Sequence, residues 1–204
     1  MRRAILKIPS WIMILTVSLS CTASDPPSQG DNENLEENKG IKILYLTRHA
    51  KSSWKDQMLS DFERPLKKRG RKDAKLIGKV LNDRGIIPDL ILSSPANRAL
   101  STAIILADKM NYPRDDIQTN EDIYETGMSR IMEILNGLSD SLETIMIVGH
   151  NPTFTNLANY LSDKSFDNVP TCGIVAIGFE ESWSEISRES GKVLFFEYPK
   201  KYKE

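Results

Sequence analysis

Apolar and polar positions along this chain switch repeatedly between a strand-like and a helix-like spacing. Residues 41–47 (Ile-Lys-Ile-Leu-Tyr-Leu-Thr) form a β-rich run that ends in a polar cluster, the pattern of a buried strand. From Leu66 to Asn82 the apolar positions Leu66, Ala74, Ile77 and Leu81 recur among many Lys and Arg. This spacing predicts an amphipathic helix that stops near Gly85 and Pro88. Residues 90–92 read as a second short strand. Pro95 then opens a helix in which Ala99, Thr102, Ala103, Leu106 and Met110 keep helical spacing up to Pro113. Ile131, Ile134, Leu135 and Leu138 mark a third helix, and residues 144–148 a third strand. Asn151-Pro152 would cap a further helix running through Leu157 to Leu161. Residues 175–177 and 193–196 look like closing strands. Such alternation predicts an α/β three-layer sandwich with a mainly parallel central sheet. No internal repeat is visible.

The first forty residues break this rhythm. Arg2, Arg3 and Lys7 precede the apolar stretch 11–19, and small residues follow, which is the order of regions in a secretory signal. The uncharged run from Ile8 to Ser24 has 17 residues and contains Pro9 and several Ser and Thr, short of the roughly 20 apolar residues of a spanning helix. Ser18-Leu19-Ser20-Cys21 resembles a bacterial lipobox, with Ser18 where that motif usually has Leu; the resemblance implies lipidation of Cys21. Residues 22–40 hold Pro26-Pro27, Gly30 and five acids against Lys39, with Ala23 and Leu35 as their apolar residues. A segment so poor in apolar surface cannot offset its ordering entropy and reads as a disordered spacer. The expected organisation is therefore a signal peptide over 1–20, a lipidated Cys21 with an acidic linker over 21–40, and one domain over 41–204. The expected location is the bacterial cell envelope, lipid-anchored and outside the cytoplasm.

Charge sharpens this division. The formal net charge of the whole 204-residue chain is −1. It resolves into +3 over 1–20, −4 over 22–40 and zero over 41–204, where 23 basic residues meet 23 acidic ones. A balanced domain lacks the cationic excess of a nucleic-acid binder, so no nucleic-acid partner is expected, and a monomer is the default state. With Cys21 acylated, Cys172 is left without an intramolecular partner, so stability must come from the core.

The chain has two histidines, and both fall at equivalent junctions. His49 follows the first strand and His150 follows the strand 144–148, while Arg98 lies in the first turn after the strand 90–92. In a parallel sheet the carboxyl ends of strands line the ligand crevice, so these residues would converge on one rim. A single histidine at a strand end is commonly structural; two at matching ends are harder to ascribe to coincidence. Arg98 near a helix N-terminus opposes the macrodipole. The conflict vanishes if a dianionic phosphoryl group binds there, because helix N–H groups and the guanidinium would both face it. No third His, acidic cluster or CxxC pair has metal-ligand spacing, which argues against a metal. No GxxxxGK[ST] or GxGxxG loop is present for a nucleotide.

These residues sit in a wider pattern. Arg48-His49-Ala50-Lys51-Ser52-Ser53-Trp54, Asp61-Phe62-Glu63-Arg64-Pro65-Leu66 with Arg69-Gly70, Ser93-Ser94-Pro95 with Arg98 and Thr102, and Val148-Gly149-His150-Asn151-Pro152 follow in order. Together they resemble the SixA-type phosphohistidine phosphatase branch of the histidine phosphatase (phosphoglycerate mutase-like) superfamily, over essentially all of 41–204. The resemblance implies a phosphoglycerate mutase-like fold and a phosphatase needing no metal or other cofactor. It implies His49 as nucleophile, with Arg48, Arg98 and His150 around the transferred oxygens and Asn151 as a weaker phosphate contact or a helix cap. Glu125, ahead of the third helix, is the candidate general acid, although this branch often lacks one. Asp61 and Arg64 are expected to brace the loop beside the pocket, and Cys172 to be a small buried residue. The implied substrate is phosphohistidine or a small phosphate ester, on a protein or a free molecule. Two alternatives remain open: a phosphoglycerate mutase-like phosphotransferase, and a non-catalytic lipoprotein that keeps the pocket for anions.

Overall fold

The computed structural model describes residues 40–125 and 127–203, the side chain of Glu125 excepted. The signal, the lipobox with Cys21 and the acidic spacer lie outside the described residues. Among those described, no helix is long and apolar enough to cross a membrane.

Six strands form one sheet in the order β3-β2-β4-β1-β5-β6. β1 (Lys42–Arg48) is central, and its residues Ile43 to Arg48 pair in parallel with Thr144 to Gly149 of β4 (Thr144–Gly149). β2 (Leu90–Ser93) pairs in parallel with β4 on one side and with the two-residue β3 (Gln118–Thr119) on the other. On the far side of β1, β5 (Ile174–Phe179) runs antiparallel to it, and β6 (Lys192–Glu197) antiparallel to β5.

The sheet is therefore mixed, which corrects the mainly parallel expectation. The cause is the path between β4 and β5. Helix α5 (Thr153–Leu161) carries the chain away from the rim at the end of β4, and residues 162–173 then climb back along it. The Phe166 N–H donates to Asn159 Oδ1 (2.7 Å) and the Val169 N–H to Thr155 Oγ1 (3.0 Å). The chain thus re-enters the sheet beside the carboxyl end of β1 and must run the opposite way. Apolar spacing in 175–177 is the same for either direction, so the sequence pattern carries no sign of it.

The three layers follow from alternation along the strands. Leu44, Leu46, Ile145 and Ile147 point to one face, where they pack with α4 (Met128–Asn136) and α5 (Thr153–Leu161). Tyr45, Ile91, Met146 and Val148 point to the other, against α1 (Lys68–Asp83) and α2 (Asn97–Met110). Each fully buried Leu, Ile or Val contributes about 1.5–3 kcal/mol, so both faces hold the sheet without cross-links. Gly85 adopts φ +70°, a left-handed conformation that ends α1 where the glycine signal predicts. The short helix α3 (Asp122–Glu125) and β3 are elements that periodicity alone did not reveal, being too short to show a period. Cys172 is free, buried and packed in the face of α1 and α2, and burial pushes its thiol well above the ordinary range.

Candidate active site

Three parallel strands end at the same rim. β1 delivers Arg48 and His49, β4 delivers Gly149 and His150, and β2 delivers Ser93 and Ser94 ahead of Arg98 in the first turn of α2. The backbone locks these ends together: the His49 N–H donates to Gly149 O (2.9 Å) and the Ser94 N–H to Val148 O (2.9 Å). Gly149 is needed at this crossing, because a Cβ there would meet the Phe154 ring at 2.5 Å.

His49 is buried, and its Nδ1–H donates to the carbonyl of Ala50 at 2.8 Å. With the proton assigned to Nδ1 by this bond, Nε2 carries the lone pair. The next link is the Ala50 N–H, which donates to Thr102 Oγ1 (3.0 Å), whose hydroxyl donates to Arg98 O (2.6 Å). Thr102 therefore ties the His49 segment to the helix that carries Arg98. Burial lowers the pKa of His49 to about 4, the Ala50 carbonyl opposing and the Arg98 and Arg48 charges adding to the fall. The imidazole is neutral at pH 7.

The His150 ring lies 5.1 Å from that of His49, centroid to centroid. Ser94 Oγ sits 2.9 Å from His150 Nε2 and also accepts from the Ala96 N–H. Burial, with the neighbouring His49 and Arg98, lowers the pKa of His150 to about 3. Tyr124 stands edge-on to His150 at 5.5 Å and Phe62 edge-on to Tyr124 at 5.2 Å, forming one wall.

Asp61 holds Arg98 along one edge. Its Nη1 donates to Asp61 O (2.6 Å) and its Nη2 pairs with Asp61 Oδ2 (2.8 Å). The same carboxylate binds Arg64 Nη2 through Oδ1 (2.8 Å) and accepts from Tyr124 Oη (3.0 Å). Partial burial of Asp61 would raise its pKa, but the Arg98 charge, the Tyr124 hydroxyl and Arg64 outweigh it and hold the carboxyl below its usual value. Arg64 is buried, donates to Ser52 Oγ (3.1 Å) and stacks on the exposed Trp54 ring at 3.5 Å. Sequence reasoning found the Asp61–Arg64 brace but missed that Asp61 also aims Arg98, and it missed Ser94 and Tyr124. A run of motif residues gives no sign of which of them touch.

Arg48 donates from Nη1 to Val169 O (2.7 Å) and Asn168 Oδ1 (3.2 Å) on the returning loop. Asn151 donates from Nδ2 to the same two acceptors, at 3.2 and 2.9 Å. This corrects the expected capping role, since α5 begins without a side-chain cap and the Asn151 amide is spent on the 168–169 loop. The described buried side-chain atoms without a hydrogen-bond partner include Arg48 Nε, Arg98 Nε, His150 Nδ1 and Asn151 Oδ1. Two of these are N–H donors of arginines that sequence reasoning had assembled, and a third is the unpaired ring nitrogen of His150. In both arginines the spent hydrogen bonds lie on the Nη side, leaving the Nε side open. Buried donors left unpaired cost about 1–3 kcal/mol each, so their concentration here marks a place built for an acceptor-rich ligand. Glu125 ends α3; its side chain lies outside the described residues. No group of three His, Cys, Asp or Glu among the described residues could hold a metal ion.

Comparison with known proteins fits this geometry. A profile of the histidine phosphatase superfamily (branch 1) matches residues 44–133. A chloroplastic protein of Arabidopsis thaliana, itself uncharacterized, is 32% identical over 157 residues, 72% of either chain. An Agrobacterium tumefaciens structure designated as a phosphohistidine phosphatase SixA superposes with a TM-score of 0.67 at 26% identity, covering 78% of this chain and 98% of that one. A protein histidine phosphatase SixA solved with tungstate superposes with a TM-score of 0.69 at 20% identity, covering 79% of this chain and 99% of that one.

Proposed function

Because the chain belongs to the histidine phosphatase superfamily, we propose that it is a phosphatase that passes the substrate's phosphoryl group first to His49 and then to water. The observation that carries this reading is the pair of buried, unpaired N–H groups of Arg48 and Arg98, with the unpaired Nδ1 of His150, beside a neutral histidine. Such fixed donors suit a transferred phosphoryl group, whose reaction is catalysed mainly by positioning and charge stabilisation.

In the first step the Nε2 lone pair of His49 attacks phosphorus in line, the Nε2–P bond forming as the bond from phosphorus to the leaving group breaks. The Nδ1–H bond to Ala50 O keeps the tautomer fixed and spreads the positive charge that the ring acquires. Arg48 and Arg98 offer their Nε sides, and His150 its Nδ1, to the equatorial oxygens. Water then attacks phosphorus, the N–P bond breaks, orthophosphate leaves and His49 returns neutral. The SixA-like neighbours favour phosphohistidine as substrate. An imidazole leaving group titrates near 6.5 and departs with far less help than an alkoxide. For alkyl phosphate esters Glu125 would supply the proton. The reading also includes an envelope location through a lipidated Cys21, supported by the basic, apolar and lipobox-like order of residues 2–21.

The test is hydrolysis of an aryl phosphate, without added metal, by the protein and by His49→Ala. The variant should lose turnover altogether, and undiminished turnover would overturn the mechanism. Comparison of phosphohistidine, phosphoserine and small phosphate esters then ranks the substrates. Glu125→Gln should slow the esters more than the P–N bond; equal slowing of both removes Glu125 as the acid.

A further inference from the structure

Helix α1 carries its charge the wrong way round. Its first five residues include Lys68, Arg69, Arg71 and Lys72, no acid stands in its first turn, and no base stands in its last. The positive end of the macrodipole thus meets clustered cations, an arrangement that costs a few tenths of a kcal/mol per charge. The cations are also stacked on one another. Lys68, Lys72, Lys75 and Lys79 follow at spacings of four, three and four, so they form one stripe about 16 Å long, and like charges at these spacings repel. All four are exposed, and the stripe lies opposite the buried positions Gly70, Ala74, Ile77 and Leu81.

A second element extends the same face. The turn Pro199–Tyr202 packs on α1, and Lys203 reaches Asp73, while the exposed Asp83 follows Lys79 at a spacing of four and closes the stripe at its far end. Asp73 is buried and is bound by both Lys203 and Arg69 (3.5 Å), so it cannot neutralise the lysines outside it. Lys68, Arg69, Lys72 and Lys203 border a hollow of about 540 Å³ over Asp73 and Leu76. Arg69 and Lys203 pair with Asp73 and Lys201 with Glu197, so the excess charge of this face is carried by the exposed lysines of α1.

We infer that this face of α1, with the lysines after Pro199, is a docking surface for an anionic lipid bilayer. Local repulsion retained on a helix is an unfavourable choice that an anionic partner would offset. The face offers little for a protein partner, since interfaces between proteins rely on buried aromatic and apolar anchors and the large apolar side chain exposed beside these lysines is Tyr202, at 42%. A planar array of exposed ammonium groups instead suits a fluid sheet of phosphate headgroups. The basic and apolar start of the chain, residues 2–19, points to the same surface. The inference does not depend on the phosphatase reading.

The experiment is flotation of the full chain with phosphatidylglycerol or phosphatidylcholine vesicles, at low and high salt, against K68Q/K72Q/K75Q/K79Q. Parent and variant share residues 1–39, so any attachment through these cancels in the comparison. Each lysine near an anionic surface is worth about fivefold in affinity, so the variant should bind phosphatidylglycerol several hundredfold more weakly and with a shallower salt dependence. Binding to phosphatidylcholine and aryl phosphate turnover in solution should not change. The two-site variant K75Q/K79Q, expected to lose about 25-fold, keeps the test intact if four changes impair folding. Equal binding of parent and variant to phosphatidylglycerol overturns the inference. So does a difference confined to heparin or polyglutamate, which would mark a nucleic-acid-like or acidic-protein partner instead.

Discussion

Acidification from pH 7 to pH 5 should strip stability from this protein by way of His49 and His150. Both are neutral when folded, with pKa values lowered to about 4 and about 3, mainly by burial. In the unfolded chain both take up a proton near pH 6.5. Between 6.5 and the folded values the unfolded state therefore binds more protons than the native state, so stability falls as pH falls, by about 1.4 kcal/mol per pH unit for each ring. The effect is absent above pH 7 and complete once pH passes below the folded values. From 6.5 to 5 each ring loses about 2 kcal/mol and the pair about 4 kcal/mol, a large part of a typical 5–15 kcal/mol stability. Few other groups interfere in this window. Asp61, held down by Arg98 and Tyr124 against its burial, and Asp89, held down by Thr144 against its burial, both titrate lower. The assay is urea unfolding at half-unit pH steps, for the protein and for His49→Asn and His150→Asn. Replacement changes the level of stability at every pH, but the slope is what matters: each variant should lose about half of it. Saturating inorganic phosphate should flatten the slope of the parent, because a bound dianion favours the charged rings. A parent whose stability is flat from pH 7 to 5, or variants with an unchanged slope, would refute the neutral-histidine site.

The same pKa shift sets the pH profile of kcat/KM, whose acid limb should fall as pH drops through about 4 and protonates Nε2, not near 6.5; a limb at 6.5 would mean His49 is solvated. Asp61→Asn removes the charge that aligns Arg98 and Arg64 while keeping the shape of the loop, and should lower kcat/KM for an aryl phosphate roughly tenfold or more, with tungstate or phosphate binding weakened in parallel. Unchanged anion affinity in that variant would show that Arg98 is positioned without it.

Much of this protein was legible as a string of residues. Strand and helix spacings located β1, β2, β4, α1, α2 and α5 to within a few residues, because burial on one face of a regular element forces a period. The strand ends that carry His49, Arg98 and His150 followed from the same spacing, and so did their meeting on one rim, because parallel strands share a carboxyl edge. Contacts that depend on which loop returns to which edge were not legible. The direction of β5 is set by residues 162–173 climbing back along α5, and that path also supplies Val169 O and Asn168 to Arg48 and Asn151. The Asp61–Arg98 pair, 37 residues apart in the chain, and the Ser94–His150 bond, 56 apart, arise only when separate elements are brought side by side. The sequence by itself determined at which strand ends the two histidines and Arg98 stand. Tertiary structure decided the tautomer of His49, the lowered pKa values of both rings and which buried groups stay unpaired, because those depend on the burial and neighbours that each side chain meets after folding.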